Sequence, residues 1–305
     1  MWAMRYAPYM PPAESPRVAL VIPNYFDGDT ILETLESVQE REPVEVIVVD
    51  DASPDPTVGP KLRAYRDRGL ITTLILRDVN EGASKAVNAG VTTTTCPYIC
   101  FFGNDDLLMP GALGALADAL DANPDAAVAV GDFEYFGARP GLRKSAPWDP
   151  WRALTRNAWP GSMVIRREVF DELGGLTSEL VAQDWDLYLG VAARGYKTVV
   201  IPQVVYRYRI HEHNNRLSAA ARKGYRDEAR AVRRRHAALF ARERELRRAS
   251  AAGWREKVFW TLMIRIAPHR PPFLTDAFFH ITSFIARVTT VLAPRRTHQA
   301  SGDSK

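Results

Sequence analysis

The chain has 305 residues, room for one large domain or a domain with an appendage, and its 46% hydrophobic and 25% charged content excludes gross disorder. The net charge of +4 hides an asymmetry, because residues 222 to 248 hold eleven Arg or Lys against four Asp or Glu. Two cysteines, Cys96 and Cys100, sit four apart in one apolar run, which excludes a disulfide framework and a cysteine metal site and reads as core.

The first segment, Met-Trp-Ala-Met-Arg-Tyr-Ala-Pro-Tyr-Met-Pro-Pro, lacks an apolar run long enough for a signal peptide, so a cytosolic start is the expectation. From Val18 onward, short β-rich runs recur: Val18 to Ile22, Val44 to Val49, Ile71 to Leu76, Tyr98 to Phe102 and Ala127 to Val130. Apolar residues follow one another in them without alternation, the pattern of strands covered on both faces. Between the first two, Ile31, Leu32, Leu35 and Val38 repeat at helical spacing behind the capping-type residue Asp29; Gly82 to Ala89 and Gly111 to Leu120 supply further helices. Strand and helix in alternation predict an α/β fold with a mostly parallel sheet and right-handed crossovers.

Ligands of such sheets sit beyond the carboxyl ends of the strands. Those ends carry Pro23, Asn24 and Tyr25; Asp50 and Asp51; Arg77, Asp78 and Asn80; and Gly103, Asn104, Asp105 and Asp106. Carboxylates gathered on one edge repel one another unless a cation or hydrogen-bond donors lie between them. A divalent metal carrying a phosphorylated ligand would meet that need, and so would a plainer role in capping helices and tightening turns.

Four segments in order carry a resemblance: Val-Ile-Pro-Asn-Tyr at 21–25, Val-Val-Asp-Asp-Ala-Ser-Pro-Asp at 48–55, Asn-Glu-Gly-Ala-Ser-Lys-Ala-Val-Asn-Ala-Gly at 80–90, and Phe-Phe-Gly-Asn-Asp-Asp-Leu-Leu-Met-Pro at 101–110. With Pro160 to Leu176 and Gln-Asp-Trp-Asp-Leu-Tyr-Leu at 183–189, the chain resembles the inverting family 2 glycosyltransferases with a GT-A fold over some two-thirds of its length. The resemblance implies a Rossmann-like nucleotide-binding sheet and sugar transfer from a UDP, dTDP or GDP sugar. It further implies help from Mg2+ or Mn2+, in a hexosyltransferase-type activity. Asp51 would hydrogen-bond the nucleotide base, with Pro23 and Tyr25 lining the same slot and Asn80 and Lys85 on the donor side. Asp105 matches the metal-binding aspartate, with Asn104 beside it and Asp106 in support. Asp184 matches the catalytic base, Asp186 anchors its helix, and His211 falls where some relatives place a diphosphate or metal contact.

Departures accompany the matches. Family members commonly read Asp-Ala-Asp-Asp where this chain has Gly103-Asn104-Asp105-Asp106, and Glu-Asp where it has Gln183-Asp184. A neutral amide at 183 removes a negative neighbour and so eases the ionisation of Asp184. Val87 stands where many relatives carry Arg, with Lys85 one helical face away.

The sequence divides into an extension at 1–16, a transferase domain at 17–217 and a basic, amphipathic helical region at 218–305. Ala229, Val232, His236, Leu239 and Leu246 follow a helical stripe among arginines, on which His236 reads as packing. Trp254, Val258, Phe259, Leu262, Met263 and Ile266 form a second stripe, and Phe273 to Leu292 a third. The third is long enough to span a bilayer, but Asp276, His280 and Arg287 interrupt it, which suits a helix lying on the inner face of the cell membrane. The alternative is that these helices pack on the domain or form a homodimer seam. A membrane-facing tail favours a glycan or lipid-linked acceptor. Clustered arginine also invites a nucleic-acid reading, but no stacking platform, zinc motif or helix-turn-helix accompanies it. A non-catalytic nucleotide-sugar scaffold keeps the same fold. Trp148, Trp151 and Trp159 read equally as an acceptor surface or as core.

Overall fold

The computed structural model describes residues 15–26, 28–180, 182–211 and 230–266. The third apolar stripe and nearly all of the N-terminal extension lie outside them. The chain alternates strand and helix from the start: β1 (Val18–Asn24), α1 (Thr30–Glu36), β2 (Val44–Asp50), α2 (Val58–Asp67), β3 (Thr73–Leu76), α3 (Ala83–Val91), β4 (Tyr98–Phe101) and the short β5 (Leu107–Leu108). After α4 (Ala112–Asp121) come β6 (Ala126–Gly137), β7 (Gly141–Arg143), α5 (Pro150–Thr155), β8 (Met163–Arg166), α6 (Arg167–Leu173), α7 (Gln183–Ala193) and β9 (Lys197–Ile210).

The sheet runs β3-β2-β1-β4-β8-β6-β9-β5, with β7 paired to β6. β3, β2, β1 and β4 are parallel, whereas β8 is antiparallel to both of its neighbours. Continuous apolar runs make sense here because each strand feeds two cores. Ala19, Val21, Ile47 and Val49 pack into the layer with α3, α5, α6 and α7, while Val18, Leu20, Ile22, Val46 and Val48 pack into the layer with α1, α2 and α4. Cys96 and Cys100 are both buried, as expected.

Three features place the site. The chain moves outward from β1 to β3 and then returns through α3 to β4 on the other side of β1, so the topological switch point lies between β1 and β4. The pairing Leu107↔Arg207 and Leu108↔Tyr206 between β5 and β9 carries the end of β9 alongside Asp105 and Asp106. The β6·β9 ladder shifts register at Gly131, where an added Cβ would lie 2.5 Å from the Gln203 carbonyl oxygen.

The predicted basic helix is broken into α8 (230–235), α9 (Ala237–Ala241) and α10 (Glu243–Ala249), with turns at His236 and Arg242. α11 (Trp254–Ile266) follows. This region packs on the catalytic layer through buried Val232, Leu239 and Trp260, while Trp254, Val258 and Leu262 remain exposed on α11. No helix among the described residues is long and apolar enough to cross a membrane. Of the three tryptophans, Trp151 and Trp159 are buried, and Trp148 packs against Trp159 in a tilted pair with ring centroids 4.8 Å apart, so they serve the core.

Candidate active site

The switch point is built from a chain of amide-to-amide and amide-to-carboxylate contacts. Asn104 Nδ2 donates to Asn24 Oδ1 at 2.8 Å, and Asn24 Nδ2 donates to Asp50 Oδ1 at 2.9 Å. Asp50 also accepts from the Ser53 backbone and hydroxyl, and the Ser53 hydroxyl accepts from the Phe26 N–H. Sequence reading of the site assigns no role to Asn24 or Asp50, yet both are buried here and tie the loops after β1, β2 and β4 together. Tyr25 and Phe26 stand exposed in an edge-to-face pair at 4.2 Å, and Phe26 holds a positive φ of 70° that a non-glycine residue seldom adopts. Pro23 lies within β1 opposite Val49.

Asp51 is buried and heavily engaged. Its carboxylate accepts from Arg77 Nη1 at 2.6 Å, from the Gly82 N–H at 2.6 Å and from the Glu81 N–H, while its carbonyl accepts from Asn80 Nδ2 at 3.1 Å. Lys85 points its ammonium at Glu81 at 2.8 Å. The predicted donor-side residues Asp51, Asn80 and Lys85 therefore share one network, with Arg77 and Glu81 as members not predicted for the site.

The two carboxylates after β4 are unequal. Asp105 Oδ2 lies 2.6 Å from His211 Nε2, and the Asp105 carbonyl accepts from Arg209 Nε. Asp106 is buried and accepts the Arg209 backbone N–H at 2.9 Å. Burial first, and then the Asp105 charge, push the Asp106 carboxyl up to about 7 against the pull of Arg209. Gly103 opens this corner: a Cβ there would lie 2.9 Å from Asp106 Oδ2 and 3.2 Å from Asp105 Oδ1. Asp105 and His211 offer one carboxylate oxygen and one imidazole nitrogen. That set fits a Mg2+ or Mn2+ ion that completes its coordination with phosphate oxygens and water. Among the described residues, no group of three or more His, Cys, Asp or Glu side chains is arranged to hold a metal.

Asp184 stands in the first turn of α7. Its Oδ1 accepts the Trp185 N–H at 2.9 Å and its Oδ2 accepts Asn157 Nδ2 at 2.7 Å, with Gly161 passing close by. Asp186, two residues on, is buried and bonds His236 Nε2 at 2.7 Å and Arg235 Nε at 3.1 Å. His236 thus does more than pack, because it makes a polar contact to Asp186 of α7. Burial pushes the Tyr206 phenol well above its usual range, and the charges of Asp106 and Asp184 both add to this. The start of β8 pairs with the end of β4 at Phe101↔Met163, and Gly161, two residues before Met163, lies against Asp184, so Asp184 stands at the same end of the sheet as Asp105 and Asp106.

Fold and site together define an α/β protein whose loops gather carboxylates and amides at the switch point, with Asp184 at the same end of the sheet. The glycosyl transferase family 2 model matches residues 19–174, and the chain belongs to that family. It is 26% identical over 212 residues to the probable glycosyltransferase YdaM of Bacillus subtilis (strain 168), covering 63% of this chain and 50% of that protein. With the succinoglycan biosynthesis protein ExoU of Rhizobium meliloti (strain 1021) it shares 26% over 208 residues, 62% of this chain and 60% of the other. The chain thus spans about half to three-fifths of these relatives' own length. S. aureus TarS 1-349 in complex with UDP-GlcNAc superposes with a TM-score of 0.61 at 17% identity, over 82% of this chain and 72% of the other. The mannosyltransferase PcManGT from Pyrobaculum calidifontis, in complex with GDP-Man and Mn2+, gives 0.54 at 20% identity over 90% and 81%. The fold is accordingly GT-A-like. The family match ends before Gln183-Asp184, which lies beyond it.

Proposed function

We propose that this chain is an inverting glycosyltransferase that moves a sugar from a UDP, dTDP or GDP sugar to a hydroxyl of a glycan or lipid-linked acceptor. The observation that carries this reading is the gathering of the switch-point loops, the Asp105–His211 pair and Asp184 at one end of the sheet. TarS and PcManGT, of like fold, bind UDP-GlcNAc and GDP-Man in their crystal structures.

In this reading the Asp51 network and Tyr25 hold the nucleotide, and Asn104 orients toward the ribose through Asn24. Asp105 and His211 would hold a divalent cation, which when bound neutralises charge developing on the diphosphate. Asp106 supports the loop from below through Arg209. Asp184, aimed by Asn157, takes the proton from the acceptor hydroxyl as that oxygen attacks the face opposite the leaving group. A single displacement inverts the anomeric centre and needs no second nucleophilic carboxylate. Residues 17–217 form the transferase domain and 218–305 a C-terminal region that meets the inner surface of the cell membrane, the exposed Trp254, Val258 and Leu262 being its described apolar contacts.

The test is Asp184→Asn. Transfer or hydrolysis of the best donor should fall by roughly 10²- to 10⁴-fold with the melting temperature unchanged. A purified variant that works at the normal rate removes the assignment. If the wild type binds nucleotide sugars with Mn2+ but turns none over, it is a scaffold.

A further inference from the structure

The described part of the C-terminal region reaches both elements that hold Asp184. On one side, Asp186 of α7 receives His236 at 2.7 Å and Arg235 at 3.1 Å. On the other, Glu256 of α11 takes Arg152 in a two-pronged pair at 2.9 Å and 2.9 Å, and Arg156 at 3.3 Å. Arg156 immediately precedes Asn157, whose amide holds Asp184 Oδ2. The Arg156 guanidinium also lies over the Trp260 ring, 4.6 Å from its centroid. The Ser250 hydroxyl donates to Asp149, the residue that caps α5, at 2.6 Å.

These contacts are built rather than casual. Side chains of Glu256, Arg152 and Arg156 are 12%, 16% and 17% exposed, so water screens them little. Burial pushes the Glu256 carboxyl up, but the hydrogen bond and charge of Arg152, with those of Arg156, outweigh it and keep the group below its ordinary range. Removing one partner strands the others in a poorly solvated place.

We propose that the C-terminal helices are a positioning brace for the base: Glu256 fixes the loop that carries Asn157, His236 fixes the first turn of α7, and together they set Asp184 at its attack geometry. The inference rests on Asp184 being the base. His236 and Glu256 touch no substrate in this scheme and act only through Asp184. A misplacement near 1 Å at a reacting group costs on the order of 10²-fold in rate, so small displacements of the brace reach the chemistry.

The experiment uses the full chain with Mn2+ and the member of a UDP-, dTDP- and GDP-sugar panel that most raises the melting temperature, scoring nucleoside diphosphate released. Five proteins are compared: wild type, Asp184→Asn, Glu256→Gln, His236→Leu and the Asp184→Asn/Glu256→Gln double variant. The brace predicts kcat lowered about 10- to 100-fold by Glu256→Gln or His236→Leu. It also predicts an unchanged donor KM and no additional loss when Glu256→Gln is placed on Asp184→Asn. Hydrogen exchange should quicken at 156–161 and 183–187 but not in β1 or β4. If Asp184→Asn abolishes turnover while both brace variants run at the wild-type rate, the brace is wrong and the base stands. If Asp184→Asn runs normally, the base reading fails and the brace with it. Should one brace variant fail to fold, the other decides. Should no sugar turn over, unchanged exchange at 156–161 in the folded variant overturns the proposal.

Discussion

Gly103 is one of the residues at which this chain leaves the common family spelling, and the packing explains what a side chain would meet there. Asp105 and Asp106 turn their carboxylates into the space a Cβ would take, and burial has already raised Asp106 to about 7. Gly103→Ala should therefore push on both carboxylates, lower the melting temperature by a few degrees and weaken Mn2+-dependent donor binding about tenfold. Thermal-shift titration with and without Mn2+ reads both effects, and an unchanged Mn2+ increment would show that the corner is not the cation site. Asp105→Asn should remove that increment while leaving metal-free nucleotide binding in place. At this scale the local motif residues were legible, because Asp51, Asp105 and Asp184 sit in recognisable short segments. Their holders were not. Asn24, Asn157 and Arg209 are 80, 27 and 104 positions from the groups they bond, Asn104, Asp184 and Asp105, and local spacing carries no trace of such partners.

Among elements, β1, β2, β3, β4 and the start of β6 showed through best, because burial on both faces leaves an unbroken apolar run, whereas β5, β7, β8 and β9 were not read as strands. α2 did not, since Gly59 and Pro60 in its first turn look like loop; Pro is tolerated there because the first amides of a helix lack intrahelical partners anyway. The basic stripe was legible as apolar spacing, but its breaks were not. His236 leaves helical geometry with φ −108° and ψ 31°, and its ring meets Asp186, a tertiary contact. α3 owes its close seat on the sheet to Gly90, where a Cβ would lie 2.6 Å from Val21 and 3.1 Å from Val49, both wholly buried. Gly90→Ala should cost about 1–3 kcal/mol through overpacking. Urea unfolding measures this, and a neutral or stabilised variant would mean α3 shifts freely on β1 and β2.

For the molecule as a whole, the parallel half of the sheet, β3-β2-β1-β4, and its switch point followed from the alternating pattern, whereas the antiparallel pairings of β5, β7 and β8 and the docking of the C-terminal helices did not. An amphipathic stripe states that a face is covered but not by what. Here α11 is divided: Glu256 and Trp260 turn inward, and Trp254, Val258 and Leu262 turn outward. The inward pair has a pH signature. Because the folded Glu256 carboxyl sits below its ordinary value of 4.5, its contribution is full above that value and is lost as pH falls through the folded one. Glu256→Gln should cost about 3 kcal/mol at pH 7, and the gap to wild type should close as the pH is lowered below 4.5. Parallel urea curves at pH 7 and pH 4 would show this, and a gap that stays constant would sink it.

The pairing of Arg152 with Glu256 spans 104 positions of sequence. A ribosome adding about 5–20 residues per second needs roughly 5–20 s to make that interval. In the latter part of this time, once β9 has been made through Ile210, the whole sheet and Asp184 are present while Glu256, the group proposed to steady the loop around Asp184, is still unmade. Newly synthesised chains would thus acquire a place for the donor before they acquire a competent base, and turnover would switch on only as the last helices arrive.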